Sequence, residues 1–298
     1  METRRVVTCV RTEGRVHSLR LVDEVLPNTD PREVRVHVAC AVVDLEPIRA
    51  GRTTDIPTGA FLGRVRDGGA SGDLKPGDLV IGAAPIADYV SVARDRLVPL
   101  NAAAQDPHEG LAMLPLVDTL LDALESVGLT LGDRVCVSGR GLAARLVTQL
   151  AEGATGCAPS APSIGTGFDD TLHPGAPGDG ASVDLLIDTT ADSTRWERAF
   201  PLVRPRGRIL LLLPVGPQVS PFDFYPMVHR RSLSLLARRV PEIAGRRLAT
   251  PDGVQVLQRL FDQGLLAADG LLANARGSVV DLDAIGMDKG LVWWFEVQ

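Results

Sequence analysis

The sequence predicts an α/β protein in which a β-rich N-terminal part precedes a doubly wound parallel sheet. Three observations lead there. Residues 1 to about 100 hold short runs in which apolar and polar residues alternate, cut by turns. A glycine loop, Gly139-Arg-Gly-Leu-Ala-Ala144, stands between an apolar run and a segment with helical apolar spacing. Beyond it, short all-apolar runs alternate with amphipathic ones, the pattern of strands buried on both faces by helices.

Taken in order, Val6–Val10, Val16–Leu21 and Val34–Val38 read as strands, with Glu13–Gly14 and Pro27–Asn28 as turns. Phe61–Val65, Asp78–Ile81 and Tyr89–Val92 continue that rhythm, which suits a small barrel or sandwich. Ala102–Pro107 reads as a linker, and Leu111–Leu124 is apolar at helical spacing. After the glycine loop, Val183–Ile187, Arg208–Leu213 and Ser232–Leu236 read as strands. Ser193–Leu202 and Pro251–Gln263 read as helices, the latter stopped by Gly264. Gly153–Ser182, with four prolines among glycines and serines, reads as an irregular insert. Leu291–Val297 is strand-like, too short for a domain of its own, and is expected to rejoin the N-terminal β part.

The glycine loop carries the chemical signal. A dinucleotide pyrophosphate needs a strand, a tight turn, backbone that can be approached without a Cβ, and a helix N-terminus facing the phosphates. Gly139 would make the turn, Gly141 would admit the pyrophosphate, and Ala144 would let helix and strand pack closely. Arg140 and Leu142 complete the loop, and Arg140 either reaches a phosphate or faces solvent.

Composition narrows the rest. The chain has 298 residues, enough for two ordinary domains, and a formal net charge of −6. No basic block points to nucleic acid or an anionic membrane. The pairs Arg230–Arg231, Arg238–Arg239 and Arg246–Arg247 read as a solvated face. Purely apolar runs such as Ile209–Leu213 are too short to span a bilayer, and Met-Glu-Thr-Arg-Arg lacks the apolar stretch of a secretory signal. Cys9, Cys40, Cys136 and Cys157 are scattered, so free thiols in a cytoplasmic protein are expected.

Several stretches resemble the medium-chain dehydrogenase/reductase superfamily, the relatives of alcohol dehydrogenases and quinone reductases. They are Lys75-Pro-Gly-Asp-Leu-Val80, Ile86-Ala-Asp-Tyr-Val-Ser-Val92 followed by Leu97-Val-Pro-Leu100, and Thr119 with Ala123–Leu124. Gly132-Asp-Arg-Val135 before the glycine loop, Val183-Asp-Leu-Leu-Ile-Asp188, and Arg204-Pro-Arg-Gly-Arg-Ile209 through Gly216 complete the set, in the family's order. The resemblance implies a GroES-like β-rich domain (1–107 plus about 270–298) and a Rossmann domain (108–269, insert 153–182). It also implies a nicotinamide cofactor in the cleft between them, and a homodimer.

The chain departs from the family at the sites that decide chemistry. Thr58-Gly59-Ala60 stands where zinc-dependent members carry Gly-His-Glu, and the four-cysteine lobe expected near Gly82–Pro85 is missing, so a zinc-independent protein is expected. About 20 residues past the loop, where an acid would meet the ribose of NAD, the chain reads Gly156-Cys-Ala-Pro-Ser-Ala161. No carboxylate follows until Asp169–Asp170, which is compatible with NADP but supplies no basic partner for its phosphate. Asp44 matches an acidic position common in the family and is a proton-transfer candidate. Glu46 reads as an ordinary surface carboxylate. Thr119 would lie near the nicotinamide or simply pack its helix. Among the scattered histidines, His229 beside Tyr225 sits on a loop that could approach the cleft. The expected function is transfer of a hydride between NADP(H), or NAD(H), and a small carbonyl or activated alkene. The alternative is a degenerate member with a non-redox biosynthetic role (cyclase, lyase or isomerase) or a binding or assembly role.

Overall fold

The computed structural model describes residues 3–13, 15–28, 30–49, 54–100, 112–156, 183–190, 193–214, 223–240, 253–267, 270–275, 279–285 and 289–295. The expected linker, most of the insert, His108, His173, Cys157, Asp169–Asp170, Gly216 and Arg246–Arg247 lie outside them.

The N-terminal part is β-rich, as its alternation predicts. Strands β1 (Thr3–Thr12) and β2 (Arg15–Val25) form an antiparallel hairpin. β3 (Glu33–Asp44) leads into the short helix α1 (Leu45–Arg49), and β4 (Thr58–Asp67), β5 (Leu79–Pro85), β6 (Tyr89–Ala93) and β7 (Val98–Pro99) follow. β3 is the central strand, hydrogen-bonded to β4 and to β6. It runs six residues past the expected end at Val38, because Cys40, Ala41, Val42 and Val43 are buried and keep both faces covered. That extra length carries the chain to the cleft and ends on Asp44.

The last three strands return to this part. β12 (Leu272–Ala275) pairs with β14 (Gly290–Trp294), β14 pairs antiparallel with β3, and β13 (Val279–Asp281) pairs with β2. The expected return of the final strand to the N-terminal β part is therefore seen in its register, Leu291 opposite Val43.

Between them stands a parallel sheet of order β11-β10-β9-β8, comprising β8 (Val135–Ser138), β9 (Val183–Asp188), β10 (Val203–Pro214) and β11 (Ser234–Val240). Helices α2 (Leu114–Ser126) and α3 (Leu142–Thr155) precede β9, α4 (Ser193–Ala199) and α5 (Phe224–Met227) flank β10, and α6 (Gly253–Asp262) follows β11. Among the described residues β8 is an edge strand, on the side where a doubly wound sheet continues past its first strand.

Several boundaries differ from expectation for local reasons. α2 starts at Leu114 with Pro115 in its first turn, where the missing N–H costs nothing. Gly153–Thr155 belong to α3, whose end is set by left-handed Gly156. The Ser193–Leu202 segment tightens after Ala199 into a 3-10 turn, Phe200–Leu202, that contains Pro201. β11 begins at Ser234 because Ser232 is left-handed, with φ +53°. Gly264, at φ +68°, ends α6 as expected.

One apolar core runs from the β-rich part into the parallel sheet. Val42, Leu62 and Ile81 share one buried cluster with Leu116 and Leu120 of α2, Leu146 of α3 and Leu210 of β10. Each such fully buried aliphatic side chain contributes about 1.5–3 kcal/mol. This shared core holds the end of β3 over the C-terminal ends of β8 and β9.

Candidate functional site

The glycine loop adopts the geometry its spacing predicts. Gly139 turns the chain at φ +135°, and a Cβ there would overlap Thr189 Oγ1. Gly141 is the N-cap of α3, since the Arg145 amide donates to its carbonyl at 3.1 Å. Glycine has no side chain with which to cap, so the first amides of this 14-residue helix need acceptors from elsewhere.

Those acceptors come from the end of β3 and from α1. The amides of Arg140 and Gly141 both donate to Glu46 Oε2, at 3.0 and 2.9 Å. The Leu142 amide donates to Asp44 Oδ1 at 3.1 Å and the Ala143 amide to Asp44 Oδ2 at 2.9 Å. Four consecutive amides thus converge on two carboxylates, in the place where the loop would hold a pyrophosphate. Asp44 Oδ1 also accepts from the Glu46 amide at 3.0 Å, which fixes the two side chains relative to each other. Thr189 Oγ1 lies 3.4 Å from Glu46 Oε2, and the Arg195 guanidinium 3.9 Å from Glu46 Oε1.

The sequence reading of Glu46 as a surface carboxylate is therefore corrected: its side chain is only 15 % exposed and it joins the two halves of the molecule. No local signal marks it, because the contact spans 95 residues of sequence. Asp44 and Glu46 stand two apart where β3 turns into α1, so both carboxylates face one helix end. Gly141 fits the same picture, because a Cβ there would overlap Asp44 Oδ1 and lie 2.7 Å from Glu46 Cβ. Close backbone approach is needed, as expected, and the group that approaches is a side chain of the chain itself.

The electrostatics follow chiefly from burial, which outweighs the nearby cations. Loss of water pushes the Asp44 carboxyl above its ordinary range, against the pull of the Ala143, Glu46 and Leu142 amides and of Arg49. Burial and the neighbouring Asp44 charge push Glu46 up likewise, against the Gly141 and Arg140 amides and Arg195. Arg49 itself donates to the Leu282 and Ile285 carbonyls, both at 2.6 Å.

Beside the carboxylates is a cavity of about 40 Å³, lined by Val42, Asp44, Thr58, Ala143, Thr189 and Leu212 among others. It has room for a few water molecules, whereas ligand pockets run to about 300–1,000 Å³. In this closed arrangement the residues do not fit a bound dinucleotide, because the amides that would take its pyrophosphate are engaged by Asp44 and Glu46.

The remaining expected site residues fall as follows. Thr119 is buried and its hydroxyl donates to the Pro115 carbonyl at 2.8 Å, a bond within its own helix. Ala144 is buried and packs in the core beside Ala143. His229 stacks on Tyr225 with centroids 5.4 Å apart, but both precede β11, whose opposite end reaches the cavity at Val240. The cleft approach expected of His229 is corrected accordingly. His37 is buried against Tyr89 at 4.8 Å, and burial, then Arg66, lowers its pKa. Cys40 and Cys136 are buried free thiols, and burial pushes Cys9 up to about 11. Arg231 caps the Phe200–Leu202 turn by donating to the Phe200 carbonyl at 2.7 Å, and Arg238 meets Asp122 and Ser126, so these two are structural rather than solvated. Among the described residues no three His, Cys, Asp or Glu side chains are placed to hold a metal, and no helix is long and apolar enough to cross a membrane.

No family model matches the sequence, and no curated protein matches it. Solved structures do. A protein described as a zinc-binding dehydrogenase of Sinorhizobium meliloti, bound to NADP, is 17% identical, with TM-score 0.62 over 99% of this chain and 100% of that one. Galactitol-1-phosphate dehydrogenase of Escherichia coli is 17% identical, with TM-score 0.64 over 98% and 99%. An alcohol dehydrogenase of E. coli CFT073, complexed with NADH, is 14% identical, with TM-score 0.65 over 99% and 100%. This full-length likeness gives the chain the two-part fold of these dehydrogenases, GroES-like and Rossmann.

Proposed function

We propose that the protein is an oxidoreductase of the NAD(P)(H)-linked kind, acting on a small carbonyl or activated alkene and without zinc. The observation that carries this reading is the glycine loop: four consecutive amides, from Arg140 to Ala143, converge on anionic oxygens at a helix N-terminus. Similar structures solved with NADP and with NADH lend it support. The zinc-free part rests on Thr58-Gly59-Ala60, which stands where zinc-dependent members carry Gly-His-Glu. Asp44 lines the cavity and is the group proposed to move a proton there; Thr119, bonded within its helix and away from the cavity lining, is given a packing role.

A second reading has an observation of its own. Two carboxylates of the chain occupy the loop and the cavity is small, which favours a member that keeps the fold for a non-redox or binding role. NADPH and NADH fluorescence titrations of the purified protein, with a panel of aldehydes, ketones and enones, separate the two. Binding with turnover is the expected result. Failure to bind either cofactor at about 1 mM, the top of the ordinary KM range, would leave the non-redox reading.

A further inference from the structure

We propose that Asp44 and Glu46 are an internal substitute for the dinucleotide's pyrophosphate, an autoinhibitory contact that must withdraw before any dinucleotide can enter the cleft. The inference deepens the oxidoreductase reading and rests on it only for the identity of the displaced competitor.

Geometry carries it. Each carboxylate accepts two neighbouring amides of the loop, Glu46 through one oxygen and Asp44 through both. A pyrophosphate seated at the same amides would overlap those oxygens, and the like charges would repel in a site with little water. The contact is also a clasp between two parts of the chain, since Asp44 and Glu46 sit at the junction of β3 and α1 while the amides sit at the start of α3. Opening it exchanges four charge-assisted hydrogen bonds for hydration of two carboxylates and four amides. That near balance is what lets an external anion compete.

The pair is built for this contact. Nothing at the N-cap of α3 competes with it, because Gly141 has no side chain. The hydrogen bond that the Glu46 amide donates to Asp44 Oδ1 holds both carboxylates at the spacing of successive amides. Arg195, 3.9 Å from Glu46 Oε1, lies on α4, so it remains beside the cradle when Glu46 leaves. Asp44 and Glu46 thereby set how tightly the loop takes an external anion.

The test uses the full chain and two probes, inorganic pyrophosphate and NADPH, by titration calorimetry. Glu46→Ala, and Asp44→Ala with Glu46→Ala, should bind pyrophosphate at least tenfold more tightly than wild type. NADPH should gain by a similar factor. Unchanged pyrophosphate affinity in a folded variant would overturn the proposal. Tighter pyrophosphate without any NADPH binding would uphold the internal substitute and sink the oxidoreductase reading instead. Should the alanine variants fail to fold by circular dichroism, Glu46→Gln keeps the shape and removes the charge. It should then show a smaller gain for pyrophosphate, and no gain would overturn the proposal.

Discussion

The two ends of the parallel sheet hold carboxylates in opposite circumstances. Beneath the N-terminal ends of β8 and β9, Asp133 meets Arg208 at 2.7 Å and accepts from Thr130, while Asp184 meets Arg204 and Arg134. Burial there would raise both carboxyls, but the guanidinium, amide and hydroxyl donors outweigh it and hold both below the ordinary range. Over the C-terminal ends, Asp44 and Glu46 are held chiefly by peptide amides, and burial keeps them above it. The difference separates scaffold from site. A carboxylate paired with arginine belongs to that partner, whereas one held by a helix end can be exchanged for another anion.

The largest effect on this contrast is expected from Gly139→Val. The residue is at φ +135° and its new side chain would drive into Thr189, so the loop that presents the amides cannot form. We expect a loss of roughly 3 kcal/mol in stability, read by urea denaturation. A variant as stable as wild type would show that the turn is not needed.

Next is Asp184→Ala at the scaffold end. It removes the acceptor for the Arg134 amide at 2.8 Å and for two guanidinium groups, and should cost about 1–2 kcal/mol by the same assay. Glu46→Gln, at the other end, keeps an acceptor and deletes a partly buried charge. It should leave stability within about 0.5 kcal/mol of wild type, or raise it. A Glu46→Gln loss as large as that of Asp184→Ala would erase the distinction between the two ends.

The smallest effect concerns pH. Asp44 and Glu46 have raised folded values, so the folded protein takes up their protons first as pH falls from neutral. Their contribution makes the fold more stable on acidification toward the ordinary carboxylate range of about 4. Asp133 and Asp184 have lowered folded values, and the stability they supply is present above about 4 and lost as pH falls through those values. Melting temperature against pH should therefore flatten on its neutral-to-acid rise in Asp44→Asn with Glu46→Gln. It should flatten on its acid fall in Asp133→Asn with Asp184→Asn. The same curve in all three proteins would contradict the assignment.

Much of the fold was legible because it is written in local patterns. Alternation placed β1, β2 and β4, all-apolar runs placed β9 and β10, and Gly-x-Gly-x-x-Ala placed the turn before α3. The extension of β3 to Asp44 lies beyond the alternation that marks Val34–Val38; its signal is the apolar run Val38–Val43, of the kind that placed β9 and β10. The site was half legible. Asp44 and the loop glycines stood out as separate motifs, but nothing local says that a carboxylate at 46 bonds an amide at 141, because that contact is made only by tertiary packing. Glu46 was misjudged for the same reason: a carboxylate looks alike in sequence whether it faces water or a helix N-terminus. His229 looked close to the cleft in sequence and lies at the far end of β11, a distance set by strand direction alone.

The central claim is that the amides of Arg140, Gly141, Leu142 and Ala143 are engaged by Asp44 and Glu46 with no ligand present. Amides of a first helical turn ordinarily exchange quickly, having no partner within the helix. Hydrogen exchange followed residue by residue on the ligand-free protein tests this directly. The account predicts slow exchange at all four positions in wild type and fast exchange in Asp44→Ala with Glu46→Ala, with the rest of α3 unchanged. Fast exchange at these four amides in the wild-type protein would contradict it.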